Sequence, residues 1–229
     1  MRFLVFDTET TGLPKTKIIS PSTLNQWPHI VQFSYILYDS SSNDIIETKD
    51  NIVKLPENIL IPEETTKFHG ITNEISTKSG KPLDELLREF FLCLRSADKL
   101  IGHFIEFDIN MVKIELLRMI HDNSLTENQA KVFKNELHFL HNFSNISCTL
   151  KDSIKFCNIQ TIDKNGKPYL KYPKLNELHE KLFEVSAVNL HNSFNDILVT
   201  LRCFMKLKYD VDLMKQCEPF QKYSYLYIL

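Results

Sequence analysis

The chain has 229 residues, 43% of them hydrophobic and 24% charged, with a formal net charge of −2. That length and apolar content can bury a sizeable core in one domain, and the near-neutral balance excludes the bulk basicity of a non-specific nucleic-acid coat. Cys93, Cys148, Cys157, Cys203 and Cys217 are odd in number and lack CxxC spacing, which argues against a disulfide framework and for an intracellular compartment. The first apolar run is cut short by Asp7, and neither a signal peptide nor a membrane span can be drawn, so the sequence reads as that of a soluble protein.

Residues 2–6 form a compact apolar run that ends in Asp7 and Glu9 and then in the turn Thr10-Thr11-Gly12-Leu13-Pro14, a strand with carboxylates at its end. Two further β-rich runs, 30–38 and 44–53, flank a polar turn at 39–43, and the three together predict an antiparallel meander. From Glu63 the pattern turns helical. Pro82 opens a run in which Leu83, Leu86, Leu87, Phe90, Phe91 and Leu94 follow the 3.6-residue period. A short apolar stretch at 99–102 precedes an amphipathic run at 107–119, so strand and helix alternate as in an α/β sheet.

Residues 121–147 are polar and weakly periodic, which predicts a helical excursion or insertion rather than core. Lys164, Lys167, Lys171 and Lys174 fall in a loop or hairpin, either merely solvated or able to meet phosphates. Runs 175–183 and 190–207 read as helices, the second with Leu190, Phe194, Ile197, Leu198, Leu201 and Met205 on one broad face. The end of the chain carries Phe220, Tyr223, Tyr225, Leu226 and Tyr227, a hydrophobic tail suited to packing on the domain or on a partner. The expected division is a domain over 1–208, with the polar excursion at about 120–147, and a tail over 209–229.

Asp7 and Glu9 lie two apart on an extended segment, so both side chains point to one face. A lone pair of this kind is usually a solvated turn. At the end of an apolar strand, however, two like charges are costly unless a cation neutralises them. Asp108 stands at a strand-to-helix junction, where an acid is commonly a helix cap. His191 and Asp196 are five residues apart, about 500° on a helix, and are neighbours only if His191 lies on the preceding loop or first turn. His138, His141, Cys148 and Cys157 are too irregularly spaced for a zinc site.

The sequence resembles the DEDDh class of DnaQ-like 3′-to-5′ exonucleases, the group of the bacterial DNA polymerase III proofreading subunit. The resemblance rests on Phe6-Asp7-Thr8-Glu9-Thr10-Thr11-Gly12-Leu13, on Gly102-His103 through Phe107-Asp108, and on His191 to Asp196. Further matching pieces are Phe68-His69-Gly70-Ile71-Thr72, Cys148-Thr149-Leu150-Lys151 and Tyr172-Pro173-Lys174-Leu175. It implies an α/β ribonuclease H-like fold, with a mixed central sheet of antiparallel meander and parallel strands flanked by helices. It also implies two Mg²⁺ ions, replaceable by Mn²⁺, bridged by Asp7, with Glu9 and Asp196 completing one site and Asp108 supporting the other through water. His191 would be the general base, since imidazoles titrate near neutrality.

By the same resemblance the substrate is a single-stranded or frayed 3′ end, released as nucleoside 5′-monophosphates, with a polymerase or repair factor as partner and no membrane. The substrate would meet the backbone around Thr8 and Thr10, Gly12, Leu13 as a wedge against the terminal base, His103 and Phe104. Phe104 replaces an Asn of the relatives and either stacks on a base or fills core beside Phe107. Ser193 replaces an Ala, and His69 is expected to order its loop through a hydrogen bond. DNA is the favoured substrate; RNA trimming and a catalytically silent binding module are the alternatives.

Overall fold

The fold is described from a computed structural model, over residues 1–122 and 125–223. The apolar run that opens the sequence is the middle strand of a five-stranded sheet. Strands β1 (Arg2–Thr10), β2 (Ile30–Asp39), β3 (Asp44–Ile52), β4 (Lys99–Gly102) and β5 (Ile146–Cys148) are ordered β3-β2-β1-β4-β5. The β1–β2 and β2–β3 pairs are antiparallel, and β1–β4 and β4–β5 parallel. This is the mixed α/β sheet of the ribonuclease H-like fold, with the expected meander on one side. The parallel strands all end on one edge, where open α/β sheets place their ligands.

Helices α1 (Glu63–His69), α2 (Asn73–Ser79) and α3 (Leu83–Ser96) separate the meander from β4. α4 (Ile105–Ile120) and α5 (Glu127–Asn142) lead to β5, and α6 (Thr149–Asp152) and α7 (Ile154–Cys157) follow it. A separate two-stranded ribbon, β6 (Gln160–Ile162) and β7 (Pro168–Leu170), precedes α8 (Leu175–Phe183), α9 (Ser193–Tyr209), α10 (Leu213–Gln216) and α11 (Glu218–Gln221). Among the described residues no helix is long and apolar enough to cross a membrane.

The sheet is covered on both faces, and the alternation along β1 decides which side chain goes where. Leu4 and Phe6 join a core built with Leu86, Phe90, Leu94, Val112 and Leu116 of α3 and α4. Phe3 and Val5 join a second core with Ile197, Leu201 and Phe204 of α9. Burying a side chain of this size contributes roughly 1.5–3 kcal/mol, so each face fixes the register of the strand.

The structure differs from expectation in the polar excursion and in the starts of two helices. Residues 121–147 are not simply an excursion: Phe133 and Leu140 of α5 are buried in the first core, and residues 146–148 form an edge strand of the sheet. Two buried residues seven apart are too sparse to raise a clear periodic signal in a polar helix. The fourth helix starts at Ile105, earlier than expected, and the ninth at Ser193, later, because Asn192 caps it by accepting from the N–H groups of Phe194 and Asn195. At the end of the chain Leu213, Cys217 and Phe220 are buried in the second core, and Tyr223 packs edge-on against Phe194. Tyr225, Leu226 and Tyr227 lie outside the described residues.

Candidate active site

The alternation that sorts the core also sorts the polar end of β1. Asp7 and Glu9 continue the face of Phe3 and Val5, toward α9, whereas Thr8 continues the face of Leu4 and Phe6, toward α4. On the α9 side, one carboxylate oxygen each from Asp7, Glu9 and Asp196 lie within 4.8 Å of one another. It is the one grouping of this kind among the described residues. Asp196 sits in the first turn of α9, where the helix dipole favours negative charge.

Its two oxygens are treated unequally. Oδ2 accepts the His191 N–H at 3.3 Å, while Oδ1 is buried with no hydrogen-bond partner. Burial raises the pKa of Asp7 well above the carboxylate range, with added repulsion from Asp108, Asp196 and Glu9. Burial, then Asp196 and Asp108, push Glu9 up to about 8, and burial pushes Asp196 up to about 7. Three convergent carboxylates whose repulsion is answered by no ion pair among the described residues, one with an orphaned buried oxygen, fit a hard divalent cation.

His191 precedes the Asn192 cap on left-handed backbone, φ 67°, which histidine tolerates better than most residues. It is therefore on the loop, as its spacing from Asp196 requires. Its exposed ring stands edge-on to Phe68 at 6.0 Å, and Asp7, His191 and Asp196 share a cleft of about 700 Å³ with His103, Tyr172 and Lys174.

Asp108 lies on the other side of the strand. It is buried, and one oxygen accepts both the N–H and the hydroxyl of Thr8, at 3.0 and 2.7 Å. Burial raises its pKa to about 7 against the lowering effect of these bonds. Both donors of Thr8 are thus engaged by Asp108, so a substrate contact at Thr8 itself falls to its carbonyl. His103 lines the cleft, but its ring nitrogens face the Thr149 hydroxyl at 2.9 Å and the Pro173 carbonyl at 3.2 Å. Burial holds it near pKa 4, a neutral tether between β4 and the segment after β7.

The turn after β1 is held by the Thr10 hydroxyl, which donates to the Gly12 carbonyl at 2.7 Å. Gly12 has φ 153° with open space around it, so glycine is required there by backbone conformation rather than by crowding. The turn leaves Leu13 82% exposed, beside the cleft edge of β1 rather than packed under it. Phe104 is 48% exposed on left-handed backbone, φ 68°, with its ring stacked on Phe107 at 6.4 Å, so it does not fill core. His69 does order its loop: Nδ1 accepts from the Ile71 N–H at 3.0 Å.

Other supporting residues were not foreseen. Gln32 and Ser34 of β2 form a buried network under the cleft, in which the Ser34 hydroxyl lies 2.6 Å from that of Ser193 and Gln32 accepts the Ser193 N–H at 3.1 Å. The hydroxyl at position 193 therefore pins the start of α9 to the sheet. The signal was present, since Gln32 and Ser34 are two polar residues of one parity in an otherwise apolar strand. Phe68 was visible only as part of a motif, with nothing to link it to His191.

Against solved structures, the chain is 18% identical to E. coli exonuclease I in complex with a dA16 oligonucleotide, covering 96% of this chain and 42% of that one with a TM-score of 0.56. The E. coli exonuclease I complex with a dT13 oligonucleotide gives 19% identity, 98% and 43% coverage and a TM-score of 0.58. Apo exonuclease I gives 16%, 96% and 44%, and 0.57. These likenesses establish the fold, and the chain spans less than half the length of the exonuclease I chains it matches. No curated protein matches by sequence. The RNase T exonuclease family model, in contrast, matches residues 4–204, from within β1 to late in α9 and across every acid of the cleft, and the chain belongs to that family, in the DnaQ-like superfamily.

Proposed function

We propose that the chain is a divalent-cation-dependent 3′-to-5′ exonuclease that releases nucleoside 5′-monophosphates from single-stranded or frayed DNA ends, as in proofreading or repair. The observation that carries this reading is the convergence of Asp7, Glu9 and Asp196, two of which, Asp7 and Asp196, line one cleft with the exposed His191. Asp7, Glu9 and Asp196 would hold Mg²⁺ or Mn²⁺, and Asp108, tied to Thr8 beyond the strand, would act on a second ion through water. Bound cations of this kind stabilise the attacking and leaving oxygens of an in-line displacement.

The chain's own residues supply the rest. His191 takes the proton from the attacking water and, being exposed, passes it to solvent. Leu13 and Phe104 offer apolar surface to the terminal bases, and the turn of Thr10 and Gly12 positions Leu13. His103 braces the cleft wall rather than moving protons, because both nitrogens are engaged. The exonuclease I structures hold dA16 and dT13 oligonucleotides, which supports DNA over RNA for this chain.

The test is a time course on 5′-labelled single-stranded DNA and RNA of one sequence, in Mg²⁺, Mn²⁺ and chelator. Wild type should give a cation-dependent ladder shortening from the 3′ end, faster on DNA. Asp7→Ala should give none, and His191→Ala should turn over about 10² to 10⁴ more slowly, the scale of a lost general base. Faster loss of RNA would reverse the substrate assignment, and no cleavage of either strand would refute the exonuclease reading.

A further inference from the structure

The β6–β7 ribbon stands apart from the rest of the fold. It pairs with no strand of the main sheet. Pro168 and Ile162 are register partners on one face, and Tyr169 lies on the other. Ile162 is 68% and Tyr169 50% exposed, so neither face is buried against the domain. A free two-stranded ribbon is marginal in water, and one that exposes apolar side chains on both faces is a cost to stability that packing does not repay.

Its tip is nonetheless ordered. The Asp163 carboxylate accepts the N–H groups of Asn165 and Lys167, each at 2.8 Å, and Gly166 supplies the left-handed residue at φ 79°. Its root is fixed by the Lys171 N–H donating to the Ile159 carbonyl at 3.0 Å, by Lys171 paired to Glu177 at 2.6 Å, and by the Pro173 carbonyl held by His103. The next residues, Tyr172 and Lys174, line the cleft with Asp7 and Asp196. Lys164 and Lys167 at the tip are exposed and form no ion pair among the described residues. In a chain with net charge −2, this places unpaired cations and exposed aromatic rings on an arm continuous with the cleft.

We infer that the β6–β7 ribbon is a second binding surface, which grips the phosphates and bases of single-stranded DNA upstream of the nucleotide being removed. The inference rests on the exonuclease reading of the cleft. Lys164 and Lys167 meet phosphates, and Tyr169 offers a face for base stacking. Three-residue strands reach roughly 10 Å. That spans about three nucleotides of a stacked strand, so the arm acts only on substrates longer than the terminal unit.

The test compares wild type with Lys164→Ala/Lys167→Ala and with Tyr169→Ala. Equilibrium anisotropy with a labelled long oligothymidylate reads the ribbon, and hydrolysis of the nitrophenyl ester of thymidine 5′-monophosphate reads the cleft alone. The double variant should bind the long strand about tenfold more weakly, and its log-affinity against log-salt slope should be shallower by about 1.4, two phosphate contacts at roughly 0.7 each. Tyr169→Ala should weaken binding without changing that slope, and the ester should be cleaved at the wild-type rate by all three proteins. Unchanged affinity and slope in the double variant would overturn the inference and leave the lysines as solvated charges. If wild type fails to cleave the ester while the double variant still loses strand binding, the ribbon stands and the catalytic reading falls.

Discussion

Two helices begin beside the cleft in parallel ways and present their acids differently. Phe104 at φ 68° precedes α4, and His191 at φ 67° precedes the Asn192 cap of α9; each helix carries an aspartate in its first turn, Asp108 and Asp196, which burial raises to about 7. At α4 the N-cap offers no side-chain oxygen, and the acid instead takes two hydrogen bonds from Thr8 across the strand. At α9 the cap is supplied by Asn192, so Asp196 is released from that duty and keeps one buried oxygen unpartnered. An acid whose charge is already answered by donors is a support, and one held bare at a helix start is available to a cation.

The largest effect should come from breaking this asymmetry. Asp196→Asn removes a charged ligand from the cluster, and calorimetric titration with Mn²⁺ should show binding lost together with turnover. Asp108→Asn keeps an oxygen that can accept from Thr8 and removes a repulsive charge from Asp7, so the loss should be the smaller one, about 10- to 100-fold in affinity or activity as for outer-shell changes. Equal losses in the two variants, or an unchanged Mn²⁺ titration in Asp196→Asn, would erase the distinction.

Removing the cation should expose the burial of these acids, tethered and bare alike, as a dependence on pH. Glu9 titrates near 8 and Asp108 and Asp196 near 7 in the folded chain, against about 4 for unfolded carboxylates. Between about pH 4 and pH 8 the folded state therefore holds more protons than the unfolded, and its stability must fall as pH rises through that window. In chelator the Tm should drop from mildly acid to mildly alkaline pH, and Mn²⁺ should remove the drop, because bound cation takes the place of those protons. A Tm that is flat in chelator, or that rises, would show that the acids are already compensated.

The main chain logic of the fold was legible because it is periodic. The apolar, β-rich runs of β1, β2 and β3 with their polar turn, and the 3.6-residue period of α3 and α9, pointed to the meander, the alternation of strand and helix and the helical layers. The three motifs likewise contain Asp7, Glu9, Asp108 and Asp196, though a motif cannot say which acid is bare and which is tethered. Thr8 illustrates the gap. Its parity in β1, readable from sequence alone, sends it away from Asp7 and Glu9, but that its target is Asp108 depends on how α4 packs one hundred residues later. The three-residue strand β5 and the Phe68–His191 contact were hidden for the same reason: one is too short to show a period, and the other joins residues far apart in the chain.

The smallest effect concerns the residue that makes α4 unlike α9. A left-handed conformation costs an ordinary L-residue roughly 1–2 kcal/mol, and asparagine visits it more readily than phenylalanine does. Phe104 thus carries a backbone cost, offset only by its stacking on Phe107, and its ring is half exposed. Phe104→Asn should stabilise the fold by about 1 kcal/mol, raising the Tm by roughly 2–4 °C for a chain of this size. If the ring stacks on a base, KM for single-stranded DNA should rise about tenfold at the same time, since one such stack contributes roughly 1–3 kcal/mol. The two readouts move in opposite senses only when the strained ring is kept for substrate. A variant that gains stability with KM unchanged would make Phe104 a tolerated replacement, and one that loses stability would make the Phe107 contact its reason for being there.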